Sequence, residues 1–458
     1  MFDIDIELIK KYDKPGPRYT SYPTAPHFHE NFKRDDLISE LVRTNESEHA
    51  PNLSLYFHIP YCDTLCYFCG CNMIVTQNRE RIHRYTDYLK REIDLVRRYV
   101  RSGRKVEQLH WGGGTPTHLN PEEINELISY INASFDFTGS AETGCEIDPR
   151  GLTKEHLAAL REGGFNRISM GVQDFEEDVQ KAVNRIQPEE MTRRVVGWVR
   201  ELGFDSINLD LIYGLPFQNV AKFERTVDTI IDINPDRLAV FNYAHVPWMK
   251  KHQKLVTEET LPKPETKLKM LKMTINKLTE AGYVFIGMDH FAKPDDELAV
   301  ALREKKLYRN FQGYSTHSGA DLYAFGITSI SQFPRVYAQN YIKEKDYYTA
   351  IDNGYIPVAK GYRLTDDDVI RQRVIMKLMC NFELSIPEIE REFNIDFGDY
   401  FARGLDSLSD FSEDGLVSVE NDRIRVGEMG RLLIRNIAMN FDGFIERQAD
   451  EMRYSRTV

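Results

Sequence analysis

The chain has 458 residues, a length that gives a prior of roughly three domains, although one α/β barrel can absorb well over half of it. At 41% hydrophobic and 28% charged residues it is globular in composition and long enough to bury a large core, which excludes disorder, collagen and a small cystine scaffold. Lys+Arg 59 against Asp+Glu 71 leaves a net charge of −12, so the average field opposes sequence-independent attraction to nucleic acid or anionic lipid, and nucleic acid is not an expected partner.

The chain opens MFDIDIELIKKYDKPGPRYTSYPT, with alternating apolar and acidic positions and no basic start followed by an apolar run. A secretory signal is therefore not expected, and nowhere do about eighteen apolar residues run together as a membrane span requires. A cytoplasmic protein without membrane insertion is the expectation. SLYFHIP, 54 to 60, reads as a buried strand halted by Pro60. Directly after it come Cys62, Cys66, Cys69 and Cys71, four of the six cysteines, while Cys145 and Cys380 stand alone. Tight spacing in a large chain points to metal or redox ligands and not to a disulfide framework. The spacing C-x3-C-x2-C fits neither paired zinc knuckles nor a lone C-x-x-C pair, and on a loop at a strand's carboxyl end three thiolates can curl around one 4Fe-4S cluster, leaving its fourth iron open.

Tyr85, Leu89, Ile93, Val96 and Val100 form a helical stripe, and VEQLHWG, 106 to 112, is a strand running into Gly112-Gly113-Gly114-Thr115-Pro116. Glycines there give a ligand access to bare backbone; the bland alternative is an ordinary tight loop. Further strands are expected at 141 to 148, 165 to 173, 206 to 216 and 237 to 245, separated by helices that include 151 to 163, 176 to 201 and 219 to 233. Six strand-then-helix units in succession predict a parallel sheet with right-handed crossovers, here an incomplete six-stranded (β/α)6 barrel. Beyond about 260 come a proline-opened amphipathic helix and, in YVFIGMDHFAKPDDELAVAL, a strand and loop feeding another helix. Helices at 366 to 381, 386 to 393 and 397 to 408, a hairpin around Glu420-Asn421-Asp422 and a helix at 428 to 440 predict a mainly helical, winged-helix-like domain used for packing. The expected division is 1–50 as an amino-terminal extension, 51–340 as the barrel with its elaboration, and 341–458 as the helical domain.

The cysteine triplet after a first strand resembles the signature of the radical S-adenosylmethionine superfamily. YFHIPYCDTLCYFCGCNMIVT, LHWGGGTPTHLN, GFNRISMGVQDF, NLDLIYGLP, PDRLAVFNYAHVP, FIGMDHFAKPDDELA, RNFQGYST and the early KPGPRYTSYPTA resemble, almost end to end, the oxygen-independent coproporphyrinogen III oxidase family. The resemblance implies conversion of two propionate side chains of coproporphyrinogen III to vinyl groups, with a 4Fe-4S cluster and two S-adenosylmethionine molecules as cofactors. That C–H bond is not acidic, so acid–base side chains cannot break it and a cofactor radical must; no catalytic side chain is assigned.

The same resemblance makes Cys62, Cys66 and Cys69 the cluster ligands and favours Cys71 as a nearby non-ligand over a fourth ligand that closes the cluster. It makes Tyr56, Gly113, Glu146, Ala244 and Ile330 contacts of the cluster-bound S-adenosylmethionine, and Phe68, Gly114, Thr115, Gln173, Arg185 and Asp210 contacts of the second. The bland reading of Arg185 and Asp210 is a structural ion pair. A tetracarboxylate macrocycle calls for aromatic walls with a cationic or hydroxyl rim. The resemblance implies that the amino-terminal segment covers the barrel mouth, which makes Arg18, Tyr19, Thr20 and Tyr22 the substrate candidates, against a reading in which RYTSYP merely packs on the barrel, with Asp289, His290 and Arg309 beside them. His58 and His110 are read as structural. The implied partners are coproporphyrinogen III, an electron donor and a terminal electron acceptor, and a monomer is expected. A haem chaperone of the same superfamily is the alternative, and a zinc-stabilised regulator using the winged-helix-like tail is a rival from another class.

Overall fold

The computed structural model describes residues 4–447, so the outer ends of the first and last expected segments, 1–3 and 448–458, lie outside the described residues. Six apolar runs fold as strands close to their expected positions: β1 Leu53–Ile59, β2 Lys105–Gly113, β3 Asp136–Ile147, β4 Arg167–Gln173, β5 Ser206–Tyr213 and β6 Arg237–Asn242. Each pairs in parallel with the next. Leu55, Phe57 and Ile59 of β1 are wholly buried because helices cover the sheet, as a parallel sheet requires. The helix Arg79–Arg97 contributes Tyr85, Leu89 and Ile93 to that layer, and the helix Val220–Ile233 contributes Phe223, Val227 and Ile230.

The sheet is larger than expected. The helix Pro264–Glu280 leads to β7 Val284–Gly287 and β8 His290–Ala292, an antiparallel hairpin where a strand and loop were predicted. Then come β9 Asp321–Phe325, β10 Ile330–Phe333, β11 Val336–Asn340 and β12 Val358–Arg363, none of them predicted. The order is β12-β11-β10-β9-β1-β2-β3-β4-β5-β6-β8-β7, a twelve-stranded mixed sheet in which β9 adds a seventh parallel strand beside β1. β9 escaped the sequence because it is buried at every position and so shows no alternation. Its first residue, Asp321, forms a buried ion pair with Arg104 at 2.7 Å. Because β11 and β12 pair, the sheet continues through residue 340 to Arg363.

Three helices also differ. The stretch 176 to 201 is two helices, Glu177–Ala182 and Glu189–Glu201, parted by Asn184 at φ 54° and by Pro188, whose ring cannot sit inside a helix. The expected 397 to 408 helix divides at Phe401, and 428 to 440 divides into Met429–Arg431, Ile434–Ala438 and Met439–Phe441. Gly430 is pressed so closely on Leu416 that a Cβ would lie 2.1 Å from its carbonyl oxygen. The helices Asp366–Asn381 and Ile386–Phe393 stand where predicted, and Glu383–Ser385 between them joins Val417–Glu420 and Arg423–Val426 in a three-stranded sheet. Asn421 and Asp422 at φ 50° and 59° make its tight turn. Among the described residues no helix is long and apolar enough to cross a membrane.

Candidate active site

Strand alternation and register build the site at the carboxyl ends of β1 to β6. Tyr56 lies opposite His110, His110 opposite Gly144, Glu146 opposite Ser169, Ser169 opposite Asn208, and Gly171 opposite Asp210, a continuous inward-facing row of polar or small residues. Over this row folds the cysteine loop. It is tied down by Ile74 N–H to the Pro60 carbonyl (2.7 Å), Asn184 Nδ2 to the Leu65 carbonyl (2.8 Å) and Gln253 Nε2 to the Phe68 carbonyl (2.9 Å).

Cys62, Cys66, Cys69 and Cys71 line one cavity of about 160 Å³, together with Phe68, Gly113, Gly114, Thr115, Glu146, Gln173, Arg185 and Asp210. Thus eleven of the expected cluster and cofactor residues surround one space. Thr115 Oγ1 is 3.4 Å from Cys62 Sγ, and Arg150 Nη2 and Arg185 Nη1 lie 3.2 and 3.6 Å from Cys66 Sγ. Burial pushes the Cys62 thiol up to about 12, whereas a hydrogen bond from Cys71 brings that of Cys69 down to about 6. Three soft thiol donors around a cavity, with two guanidiniums to offset thiolate charge, suit an iron–sulfur cluster. Cys145 and Cys380 are buried elsewhere.

Glu146 is 46% exposed, but to the cavity. Burial opposes its ionisation, yet the His110 ring at 3.3 Å and the Gly113 N–H at 3.2 Å outweigh it and hold the carboxyl below its usual range. Asp210 has the opposite balance: burial pushes it up to about 7 against the hydrogen bond from Asn208 Nδ2 at 2.7 Å. Gln173 sits at φ 70° with its buried Oε1 unpartnered, a strained residue holding an unused acceptor over the cavity.

Two expectations change in detail. The glycine turn is shaped first by protein packing, since a Cβ on Gly114 would lie 2.5 Å from the Pro60 carbonyl oxygen and one on Gly113, at φ 119°, 2.8 Å from the His58 ring. Arg185 does not pair with Asp210; it gives Nη1 to Asp148 at 2.9 Å, Nη2 to the Gly171 carbonyl at 2.6 Å and Nε to Gln187 at 3.1 Å. Tyr56 stands in the row but does not line the cysteine cavity; its hydroxyl is 3.1 Å from His58 Nδ1 and its ring is stacked on His110. His58 in turn holds the Asn72 carbonyl of the cysteine loop at 2.9 Å. Both histidines therefore brace residues of the site without lining its cavity, in keeping with a structural role. Their signal was parity: Tyr56 and His58 share a face of β1, and His110 is in register with Tyr56.

Ala244 and Ile330 do not line the cysteine cavity. Continuing the Leu322–Gln332 pairing puts Ile330 across from Ala324, which faces Tyr56. Ala244 lines a second, larger cavity of about 590 Å³ beyond the ends of β5 and β6, walled by Tyr213, Tyr243, Trp248, Leu268 and Met288 and carrying Lys10, Arg18, Lys267 and Arg435. Arg18 is there, paired with Asp289. Tyr19 and Tyr22 are not: both are buried against the C-terminal helices, Tyr19 donating to Asp442 at 2.8 Å and Tyr22 accepting from the Gly443 N–H at 3.1 Å. Thr20 is half-buried between them. The packing reading of RYTSYP therefore describes the two tyrosines, and the cavity reading describes Arg18. Half-buried His290, its Nδ1 buried and unpartnered and its pKa lowered to about 3 by desolvation, and buried Arg309, with Nε and Nη1 unpartnered, lie around Tyr314.

A family model for the Radical SAM superfamily matches residues 56–230, and one for the HemN C-terminal domain matches 364–433. Oxygen-independent coproporphyrinogen III oxidases from Synechocystis and Escherichia coli are each 48% identical, over 460 and 456 positions, covering 100% of this chain and 98% and 99% of those proteins. A solved coproporphyrinogen III oxidase from Escherichia coli, described as a radical SAM enzyme, superposes with a TM-score of 0.92 at 47% identity, covering 96% of this chain and 99% of that one.

Proposed function

The chain belongs to the oxygen-independent coproporphyrinogen III oxidase family, and from that membership we propose how its residues serve the reaction. The enzyme is a radical S-adenosylmethionine oxidoreductase of haem biosynthesis that turns two propionates of coproporphyrinogen III into vinyl groups. Its 4Fe-4S cluster and S-adenosylmethionine, when bound, supply the radical that takes a hydrogen atom from the carbon β to each carboxylate; CO2 leaves and one electron passes to an acceptor. The observation that carries the reading is the convergence of Cys62, Cys66 and Cys69 on one cavity at the carboxyl ends of the parallel strands.

In this proposal the three thiolates hold the cluster, and Cys71 stays unligated. Tyr56, Gly113, Glu146, Ala244 and Ile330 contact the cluster-bound S-adenosylmethionine, with an ionised Glu146 ready to accept hydroxyl hydrogen bonds. Phe68, Gly114, Thr115, Gln173, Arg185 and Asp210 contact the second molecule, Gln173 through its unused acceptor. Arg185 clamps the wall behind Cys66 through Asp148 and keeps a further Nη2 N–H for a ligand carboxylate. The larger cavity takes the macrocycle: aromatic and aliphatic side chains face its apolar body, and cations meet its carboxylates. Within the sheet, β1 to β6 are read as an incomplete barrel, and the helices and hairpin after residue 364 as a winged-helix-like packing domain; sheet continuity to Arg363 favours placing that domain's start there. A cytoplasmic monomer using an unidentified donor and acceptor completes the proposal.

Anaerobic incubation of the reconstituted protein with coproporphyrinogen III, S-adenosylmethionine and a reductant should give protoporphyrinogen IX and 5′-deoxyadenosine. Tight haem binding with no vinyl product would identify a chaperone instead.

A further inference from the structure

Of the four cations on the wall of the larger cavity, three are engaged. Lys10 lies 2.8 Å from Glu7 and 3.9 Å from Glu265, Arg18 pairs with Asp289, and Arg435 holds the carbonyls of Gly16 and Pro17. Lys267 is different. Its Nζ donates to Asn242 Oδ1 at 3.1 Å and to the Tyr243 carbonyl at 3.2 Å, both neutral, and no carboxylate among the described residues forms an ion pair with it. An ammonium has three donors, so one is left for a ligand. Asp13 on the same cavity wall acts on this partly desolvated charge from beyond ion-pair distance, and a bound anion would recover more of the desolvation cost.

The position is built. Lys267 projects from the helix Pro264–Glu280, and its stem passes over Gly214 just beyond β5. Gly214 has φ 90°, and a Cβ there would come within 2.7 Å of Lys267 Cε and 3.1 Å of Nζ. Glycine at 214 thus leaves the channel through which the lysine reaches Asn242 and Tyr243 at the end of β6. Burial lowers its pKa, with the charge of Asp13 acting the other way.

We propose that Lys267 anchors one carboxylate of the tetrapyrrole substrate in the larger cavity, fixing how the macrocycle lies relative to the cysteine cavity. This rests on the assignment of the larger cavity to substrate. Two probes separate the charge from the ring: coproporphyrin III, the unreactive oxidised tetracarboxylate, and its tetramethyl ester, with binding to the reconstituted full chain followed by porphyrin fluorescence. Lys267→Met should bind the tetracarboxylate about 10- to 100-fold more weakly, the range for one charge-assisted hydrogen bond, and the ester no worse than the unaltered protein does. Lys267→Arg should recover most of the loss, and Gly214→Ala should weaken tetracarboxylate binding in the same direction. The KM for coproporphyrinogen III should rise with the reduced cluster's EPR signal unchanged. Unaltered tetracarboxylate affinity in Lys267→Met, or equal weakening for acid and ester, would overturn the anchor. Failure of the unaltered protein to bind or convert coproporphyrinogen III would overturn the parent assignment instead.

Discussion

Asp210 shows how burial sets a switch at one residue. With its carboxyl raised to about 7, it is neutral below that pH and an anion above it. If it meets the cationic amino group of a bound S-adenosylmethionine, affinity should increase as pH rises through about 7, and Asp210→Asn should flatten that dependence. Anaerobic equilibrium dialysis between about pH 6 and 8 measures it; a variant that keeps the step would remove Asp210 from the contact. Glu92 carries a related effect into stability. Buried beneath β9, it accepts from Tyr347 Oη (2.6 Å), Gly326 N–H (2.8 Å) and Asn340 Nδ2 (2.7 Å), yet burial still lifts it from 4.5 to about 7. The folded state then binds a proton that the unfolded chain has lost, so the contribution is complete below about pH 4.5 and disappears as pH rises through about 7, about 3 kcal/mol in all. Glu92→Gln should therefore lose less stability than the unaltered protein between pH 6 and 8 in denaturant titrations. Parallel losses would contradict this.

At the scale of elements, the turn from Gly112 to Thr115 joins two strand ends to the cysteine loop. Gly114 N–H donates to the Ile59 carbonyl at 2.9 Å and Thr115 N–H to the Tyr61 carbonyl at 2.8 Å, and Thr115 then reaches Cys62. Gly114→Ala would force backbone apart and should cost about 1–3 kcal/mol. Iron and sulfide analysis after reconstitution should show reduced cluster content; full occupancy would mean the turn does not set the loop. The six parallel strands were legible because short apolar runs end at Gly or Pro and alternate with helical stripes. What the sequence did not disclose depends on distant partners: β9 needs β1 and Arg104, and the helix break at 183–188 presents Arg185 to Asp148. The cysteine triplet carries its chemistry in its own spacing, whereas His58 and His110 became recognisable only once register put them beside Tyr56 and Glu146.

Across the molecule, the amino-terminal strap ties the two ends of the chain over the larger cavity. Lys272 Nζ holds the Ile4 carbonyl at 2.7 Å, Asn436 Nδ2 the Tyr12 carbonyl at 2.7 Å, and Arg435 the carbonyls of Gly16 and Pro17. Arg435→Ala should increase hydrogen exchange in residues 4–18 about 10-fold while leaving the cluster loaded; unchanged protection would show the strap is held without it. This closure was only partly legible. RYTSYP marked a segment of interest, but only packing separates Arg18, on the cavity wall, from Tyr19 and Tyr22, in the core. All of these arrangements serve one claim, that Cys62, Cys66 and Cys69 alone grip the cluster and leave an iron for S-adenosylmethionine. Anaerobic EPR of the reduced, reconstituted protein, with and without S-adenosylmethionine, tests it most directly. The account predicts a 4Fe-4S signal that shifts on adding S-adenosylmethionine and is unaffected by Cys71→Ser; a signal that ignores S-adenosylmethionine until Cys71 is replaced would contradict it.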